Sequence, residues 1–226
     1  MFDAASITHE ESVERYSATT EFRRELPEVR AVALSPAKRL FDIVAAGCAL
    51  LLFLPLLAVV MLAIRMETPG AAIFRQRRTG YRGQVFTILK FRTMTVAEDC
   101  AAVRQATRND ERVTQVGALL RKLSIDELPQ LWNVMRGDMS IVGPRPERPQ
   151  FVEQLAEKIR YYNLRHCVKP GLAGWAQLRY PYGASEADAR EKLKYDLFYV
   201  KNNGMLFDLM ILIQTVEVVL FGRGVR

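Results

Sequence analysis

The longest apolar run in the chain spans residues 43–64, 22 residues without a charged side chain. About 20 apolar residues suffice for a helix to cross a bilayer, so the run predicts a membrane-embedded helix. A buried core helix is the alternative in a soluble protein. The run begins too far along the chain to be a signal peptide, and it lacks a small-residue cleavage site.

Pro55 lies in the middle of this run, where it removes a helical hydrogen bond and favours a kink. Basic residues flank both ends of the run: Lys38, Arg39, Arg65, Arg75, Arg77 and Arg78. The positive-inside rule keeps both flanks in the cytoplasm, which a broken, re-entrant helix satisfies and a straight span does not. We therefore favour the re-entrant helix, although proline also occurs in spanning helices.

Residues 71–77 and 84–94 alternate in polarity and are separated by a glycine-containing turn, which predicts a β-hairpin. The alternation places Lys90 and Arg92 on one face of the second strand, together with Phe86 and Ile88. Both cations are candidates for binding phosphate. General attraction to anionic lipid is the alternative for the basic side chains of this region.

The remaining patterns are helical, except for a glycine- and proline-broken loop over residues 168–183. Residues 116–123, 149–165, 186–202 and 205–221 predict helices, and residues 95–115 a polar helix with a loop. The last helix is apolar but contains Asp208, Gln214 and Glu217, so it belongs to the core or to the membrane interface. Asp208 is a candidate helix N-cap, or an acid that supports the site indirectly.

These elements predict an α/β monotopic membrane protein: a Pro-broken re-entrant N-terminal helix, a small β-hairpin and several surrounding, partly interfacial helices. Residues 1–35 read as a loosely ordered arm, because they mix charges and show no apolar period. We expect residues 36–66 to form the membrane helix and residues 67–226 a cytoplasmic catalytic domain.

The stretch over residues 126–147 opens with two adjacent carboxylates, Asp126 and Glu127. Pro129 fits only the first turn of a helix, so the helix starts just before it and Asp126 lies at or beside its N-cap. A carboxylate there stays ionised and a phosphate is favoured nearby, which makes Asp126 a possible nucleophile. The alternative is purely structural, because Ser124 and Glu127 also spell a capping box.

The same stretch closes on Arg145, which is held between Pro144 and Pro146. An arginine on such a stiff segment loses little backbone entropy on binding, and its planar fork suits phosphate oxygens. A turn with a solvated arginine is the alternative. Arg121, just before the carboxylate pair, either contacts a phosphate or neutralises the carboxylates.

Composition restricts the chemistry further. The net charge of +7 and a pI near 9.5 predict an anionic partner: nucleic acid, a membrane surface or a phosphorylated small molecule. Three widely spaced cysteines support neither a disulfide framework nor a zinc cluster. Two histidines make a His-rich metal site unfavourable, so any metal would be a hard, oxygen-bound ion such as Mg²⁺.

Five ordered motifs between residue 38 and the end of the chain resemble one known family, the bacterial sugar transferases, also called polyprenyl-phosphate hexose-1-phosphate transferases or small monotopic phosphoglycosyl transferases. They are KRLFDI before the membrane run, LKFRTM, LRKLSIDELPQLWNVMRGDMSIVGPRP, KPGLAGWAQ and YDLFYVKN. The first 35 residues lie outside this resemblance.

The resemblance implies a re-entrant helix in the cytoplasmic face of the bacterial inner membrane, kinked at Pro55. It implies that Asp126 attacks the β-phosphate of a UDP-sugar, with a UDP-hexose as the expected donor, and releases UMP. Undecaprenyl phosphate then takes the sugar-1-phosphate from Asp126. Glu127 is associated with Mg²⁺ in that family, and the arginines matching Arg121 and Arg145 with phosphate binding.

One position departs from the family pattern, which often has serine before the membrane proline where this chain has Leu54. The kink should survive because proline causes it, whereas a polar contact from serine is missing. The sequence leaves open the sugar, the polysaccharide and the oligomeric state, for which a homodimer is plausible.

Three other functions compete with sugar-phosphate transfer. A non-catalytic membrane subunit would make the carboxylate pair dispensable, and a hydrolase of nucleotide sugars would need no lipid acceptor. A nucleic-acid-binding protein is disfavoured, because no nucleic-acid motif is present and the apolar run indicates lipid.

Overall fold

The structure is a computed structural model that describes residues 33–95, 110, 112–180, 183 and 185–221. The predicted arm up to residue 32, most of the polar segment over residues 95–115, and the chain after residue 221 lie outside the described residues. The helices are α1 (Pro36–Glu67), α2 (Gln115–Lys122), α3 (Gln130–Arg136), α4 (Pro149–Lys158), α5 (Trp175–Arg179), α6 (Glu186–Asn202) and α7 (Met205–Phe221). The strands are β1 (Ile73–Thr79), β2 (Val85–Phe91), β3 (Ser140–Val142) and β4 (Gly171–Ala173).

Helix α1 contains the whole apolar run. The Ser35 hydroxyl caps its start by accepting from the Lys38 N–H, and Pro36 occupies the first turn, where proline is tolerated. The helix continues past Pro55, so the predicted re-entrant turn stays a prediction. Within the described residues, α1 alone is long and apolar enough to cross a membrane.

The predicted β-hairpin is confirmed, with bounds that differ by one to three residues. Strands β1 and β2 pair antiparallel, and Lys90 lies opposite Phe74. The fully buried Asn133 joins α3 to the open side of β2: its Oδ1 accepts from the Leu89 N–H at 3.0 Å, and its Nδ2 donates to the Thr87 carbonyl at 2.8 Å. One side chain thereby satisfies two backbone groups of an edge strand and fixes α3 against it.

A second, parallel sheet of β3 and β4 was absent from the sequence prediction, which treated residues 168–183 as a loop. Ser140 pairs with Gly171 and Val142 with Ala173. The two paired segments approach each other so closely that a Cβ on Gly143 or on Gly171 would collide with backbone atoms of the opposite segment. Strands of three residues that depend on glycine carry no alternation pattern, which is why the pattern failed here.

Helices α4, α6 and α7 agree with prediction in type, whereas α5 lies inside residues 168–183, which were expected to form a loop. Helix α6 has the predicted bounds and a capping box formed by Ser185 and Asp188, and α7 has the predicted bounds as well. The predicted helix over residues 149–165 is shorter, because α4 ends at Lys158 and Tyr161 adopts a left-handed conformation with φ 66°. A 3₁₀ turn, Tyr162–Cys167, follows.

A buried ionic cluster joins the start of α1 to the rest of the fold. Lys38 Nζ lies 3.1 Å from Asp42 and 2.7 Å from Asp208, and all three side chains are buried. Asp42 also accepts from the Ser140 hydroxyl and from the Ile141 N–H in β3. Asp208 therefore lies inside the first turn of α7 as an ion-pair partner of α1, and not at an N-cap.

Candidate active site

Asp126 and Glu127 lie in a 3₁₀ turn, Ile125–Glu127, between α2 and α3. The expected N-cap position for Asp126 is wrong, because α3 begins only at Gln130 with Pro129 before it. The capping box is also absent: Ser124 is left-handed, with φ 57°, and its side chain makes no capping hydrogen bond. The carboxylates are thus not committed to capping a helix.

Glu127 is the centre of a three-residue ionic group that also contains Lys90 and Arg145. Lys90 Nζ donates to Oε1 of Glu127 at 3.1 Å, and Arg145 Nη1 donates to Oε2 at 3.1 Å. A second Arg145 nitrogen, Nη2, donates to Oε1, which makes the arginine contact bidentate. Three parts of the chain therefore meet at this carboxylate. They are strand β2, the 3₁₀ turn, and residues 144–147 after β3, which we call the proline segment.

The charges in this group alter its protonation. Burial by itself raises the pKa of Glu127, but the positive charges of Arg145 and Lys90 outweigh burial and leave that pKa well below its usual value. The charge of Glu127 raises the pKa of Arg145. Burial lowers the pKa of Lys90, and the charge of Glu127 opposes that change. Glu127 is therefore ionised at any physiological pH.

Asp126 has a different environment, although it is the adjacent residue. Within the described part of the chain, its carboxylate takes part in no hydrogen bond and no ion pair. Burial, and then the charge of Glu127, raise its pKa, while the charges of Lys90, Arg145 and Arg121 oppose that rise. The helix terminus expected to stabilise the ionised form of Asp126 is absent, and the charges of these three cations favour that form instead.

Of the other predicted phosphate ligands, Arg121 is close to the carboxylates and Arg92 is not. Arg121 Nε donates to the Thr93 hydroxyl at 2.8 Å. The Arg92 guanidinium donates to the carbonyls of Thr68 and Pro69 at 2.7 and 2.6 Å, beyond the end of α1. Strand β2 ends at Phe91, so the alternation that put Arg92 beside Lys90 does not continue to residue 92.

Pro55 and Asp208 lie outside the ionic group. Pro55 is exposed in the middle of α1. Asp208 contacts Lys38, and the Tyr199 hydroxyl lies 2.8 Å from Asp208 and 3.0 Å from the Val142 carbonyl.

Carboxylates are hard donors that suit Mg²⁺, which proteins commonly hold through one or two carboxylates together with substrate phosphates. The described residues contain no group of three or more His, Cys, Asp or Glu side chains that could hold a metal by themselves. Both oxygens of Glu127 already accept from cations, whereas Asp126 is unengaged. The donor set therefore fits Mg²⁺ only together with the phosphates of a bound substrate.

Sequence reasoning missed two buried polar residues that support the site, Arg165 and Asp196. Their side chains form an ion pair of 2.8 Å and are 7% and 4% exposed. A usable signal was present, because Asp196 lies on the same face of α6 as the buried Leu193 and Val200. An acid on the apolar face of a helix requires a buried cationic partner.

Comparison with known proteins agrees with the motifs. A family model described as bacterial sugar transferase matches residues 33–222. The chain belongs to the bacterial sugar transferase family. A curated relative in this family, the UDP-glucose:undecaprenyl-phosphate glucose-1-phosphate transferase of Caulobacter vibrioides, is 46% identical over 187 residues, which are 82% of this chain and 70% of the relative.

Two other relatives show the range of the family. The UDP-N-acetylgalactosamine-undecaprenyl-phosphate N-acetylgalactosaminephosphotransferase of Aeromonas hydrophila is 43% identical over 189 residues, 84% of this chain and 45% of the relative. The exopolysaccharide production protein ExoY of Rhizobium meliloti is 40% identical over 203 residues, 83% of this chain and 87% of the relative. The chain therefore spans less than half of the Aeromonas relative and most of the other two.

Proposed function

We propose that this bacterial sugar transferase moves a sugar-1-phosphate from a UDP-sugar to undecaprenyl phosphate through a covalent intermediate on Asp126, with release of UMP. The observation that carries the proposal is that the Asp126 carboxylate, directly beside the Lys90–Glu127–Arg145 group, has no hydrogen-bond or ion-pair partner among the residues that the structure describes. The names of the Caulobacter and Aeromonas relatives support the two substrates.

In the first step, an Asp126 oxygen forms a bond to the phosphorus that carries the sugar. The bond from this phosphorus to the oxygen bridging the two phosphates breaks, and UMP leaves with that oxygen. In the second step, a phosphate oxygen of undecaprenyl phosphate attacks the same phosphorus, and the Asp126 carboxylate leaves. Each step exchanges one phosphorus–oxygen bond for another, so no water or redox partner is consumed.

The protein's contribution is alignment and charge neutralisation. We assign Arg145, Lys90 and Arg121 to the phosphate oxygens, with Glu127 holding Arg145 and Lys90 in place before substrate binds. Mg²⁺, held by Glu127 or Asp126 together with the substrate phosphates, would neutralise further diphosphate charge. Arg92 takes no part, because its guanidinium is used at the end of α1.

The donor is a UDP-hexose in this proposal, because the relatives are named for UDP-glucose and UDP-N-acetylgalactosamine. Their difference leaves the particular sugar open. The ExoY relative is named for exopolysaccharide production, which supports a first membrane step in the synthesis of such a polymer.

The packing of α1 supports a re-entrant helix bent near Pro55. A straight helix of 32 residues would be roughly 48 Å long. Before Pro55, Ala46 and Leu50 pack with the cluster around Val134. After Pro55, Val60 and Ile64 pack with a second cluster, which contains Phe91 and Leu120. Between these two contacts, Leu51, Leu52 and Leu54 are 60–76% exposed. Both halves of α1 thus contact the rest of the fold, while one side of its apolar run is exposed.

Exposed apolar side chains on α2, α3 and α7 also support a membrane-facing surface. Trp132 in α3 and Leu119 in α2 are more than half exposed, and α7 exposes Leu206 and Ile213. A surface of this kind fits helices that lie in the interface of a bilayer. We place the catalytic residues at the cytoplasmic face of the inner membrane, where UDP-sugars are available.

The re-entrant arrangement predicts that both ends of α1 are accessible from the cytoplasmic side alone. Ala37 and Met66 are exposed near the two ends, so each can be replaced by cysteine in a cysteine-free background. We expect a membrane-impermeant maleimide to label Ala37→Cys and Met66→Cys in inside-out vesicles and not in right-side-out vesicles. The exposed Lys194 in α6, replaced by cysteine, controls for vesicle orientation; labelling of one α1 end from the periplasmic side would establish a spanning helix instead.

The nucleophile assignment predicts that Asp126→Asn abolishes UMP release and lipid glycosylation, by at least about 10³-fold. Purified protein with Mg²⁺ would be assayed over a panel of UDP-sugars, with and without undecaprenyl phosphate. Glu191→Gln, which alters a surface carboxylate paired with Lys194, is the matched control and should keep full activity. Retained turnover by Asp126→Asn would refute the nucleophile, and continuous UMP release without lipid would indicate hydrolysis.

The raised pKa of Asp126 predicts an acid limb in the pH profile of kcat/KM for the UDP-sugar. Because the reacting form is ionised, activity is complete above this pKa and falls as the pH drops through it. We expect the fall in kcat/KM to occur above pH 3.8, the usual pKa of aspartate. In Arg121→Met the fall should occur at a still higher pH, because the Arg121 charge lowers the pKa of Asp126. Arg121→Lys keeps the charge and should leave the limb in place. A limb that does not move in Arg121→Met would contradict the assignment of the limb to Asp126.

A further inference from the structure

The segment that carries Arg145 is held almost entirely through its carbonyl groups. Pro144 and Pro146 have no N–H, so the segment cannot join a sheet in the ordinary way. Instead, four successive carbonyls accept hydrogen bonds: Pro144 from the Gly171 N–H at 2.9 Å, Arg145 from Arg165 at 2.8 Å, Pro146 from Arg78 at 3.1 Å and Glu147 from the Thr79 N–H at 2.8 Å.

Arg165 is the donor that contacts Arg145 itself. Its Nη2 reaches the Arg145 carbonyl and also lies 2.8 Å from Asp196 Oδ2, while its Nη1 donates to the Tyr162 hydroxyl at 2.7 Å. The Arg165 and Asp196 side chains are almost completely buried. Three directions of the guanidinium are thereby fixed, by α6, by the 3₁₀ turn before β4 and by the proline segment.

We propose that Arg165, oriented by Asp196 and Tyr162, is a positioning residue that fixes the Arg145 backbone and so aims the Arg145 guanidinium. This inference rests on the proposed function, in which Arg145 contacts a substrate phosphate. Arg165 donates to the carbonyl of Arg145 while the side chain of Arg145 donates to Glu127. The backbone end and the side-chain end of Arg145 are therefore held separately.

The geometry requires arginine at position 165. A planar guanidinium donates to a carboxylate, a hydroxyl and a carbonyl in fixed directions, whereas a lysine ammonium is a point charge on a flexible stem. Arg165→Lys retains the charge opposite Asp196 and loses the simultaneous contacts. Misplacing a substrate-positioning group by about 1 Å can cost on the order of 10²-fold in rate.

The test is a double-mutant cycle between positions 165 and 145, measured as kcat/KM for UMP release from a radiolabelled UDP-sugar. We expect Arg165→Lys to lower kcat/KM about 10- to 100-fold when Arg145 is present, and less than about twofold when Arg145→Ala is already present. Tyr162→Phe, which removes one hydroxyl, should show a smaller loss with the same dependence on Arg145. Arg160→Lys, an exposed arginine nearby, is the control and should change nothing.

A second readout needs no activity. The Gly171 amide bonds the Pro144 carbonyl, so its hydrogen–deuterium exchange reports whether the proline segment stays in place. We expect exchange at Gly171 to be at least about tenfold faster in Arg165→Lys, with the Leu89 amide, which bonds Asn133, unchanged.

The outcomes separate the two proposals. An inactive wild-type protein would overturn the proposed function and leave the exchange measurement to decide the positioning role of Arg165. An active wild type in which Arg165→Lys costs the same with and without Arg145 would overturn the positioning role alone. Unchanged exchange at Gly171 would overturn it as well.

Discussion

The ionised Glu127 carboxylate, held between Lys90 and Arg145, is the interaction on which the site depends. A partly buried carboxylate is costly without partners, and its two cations come from segments far apart in the chain. Other contacts hold each segment in place. The Asn133 side chain binds α3 to β2 by hydrogen bonds, and the β3–β4 sheet holds the start of the proline segment. The site is therefore a junction of one strand, one 3₁₀ turn and one proline-containing segment, each held in place by its own contacts.

The same construction explains how a membrane helix is linked to chemistry. The first turns of α1 are bound through Lys38 and Asp42 to α7 and β3, and β3 leads directly to the proline segment. Arg39 donates to the carbonyls of Val134 and Met135 at the end of α3, the helix that follows the two carboxylates. These contacts are short and partly or fully buried, so they hold α1 against the elements that lead to Glu127 and Arg145.

Asp126 and Glu127 show how neighbours in sequence acquire different chemistry. Glu127 is neutralised by direct contacts and has a depressed pKa, whereas Asp126 is unengaged and has a raised pKa. Environments that separate the pKa values of two adjacent carboxylates are typical of functional sites. The arrangement leaves one carboxylate structural and the other available to react.

Local pattern predicted the elements whose signal is long or regular: α1, the hairpin, α6 and α7. It also brought Lys90 and Arg145 forward as candidates, because cationic side chains suit phosphate, and Glu127 as the second carboxylate of an adjacent pair. It failed where tertiary contacts decide. The N-cap role of Asp126 followed from Pro129 alone, yet a 3₁₀ turn precedes α3. Arg92 was placed by strand alternation that ends one residue earlier, and Arg165 has a role only because Asp196 and Arg145 fold around it.

A covalent intermediate on Asp126 can be detected by mass spectrometry of the quenched protein. The purified protein would be mixed with Mg²⁺ and a UDP-sugar without lipid acceptor, quenched rapidly in acid and digested. The account predicts a sugar-phosphate adduct on the peptide containing Asp126, which disappears when undecaprenyl phosphate is added before the quench. Formation of undecaprenyl diphosphate sugar with no adduct at any time, or with an adduct on another residue, would contradict it.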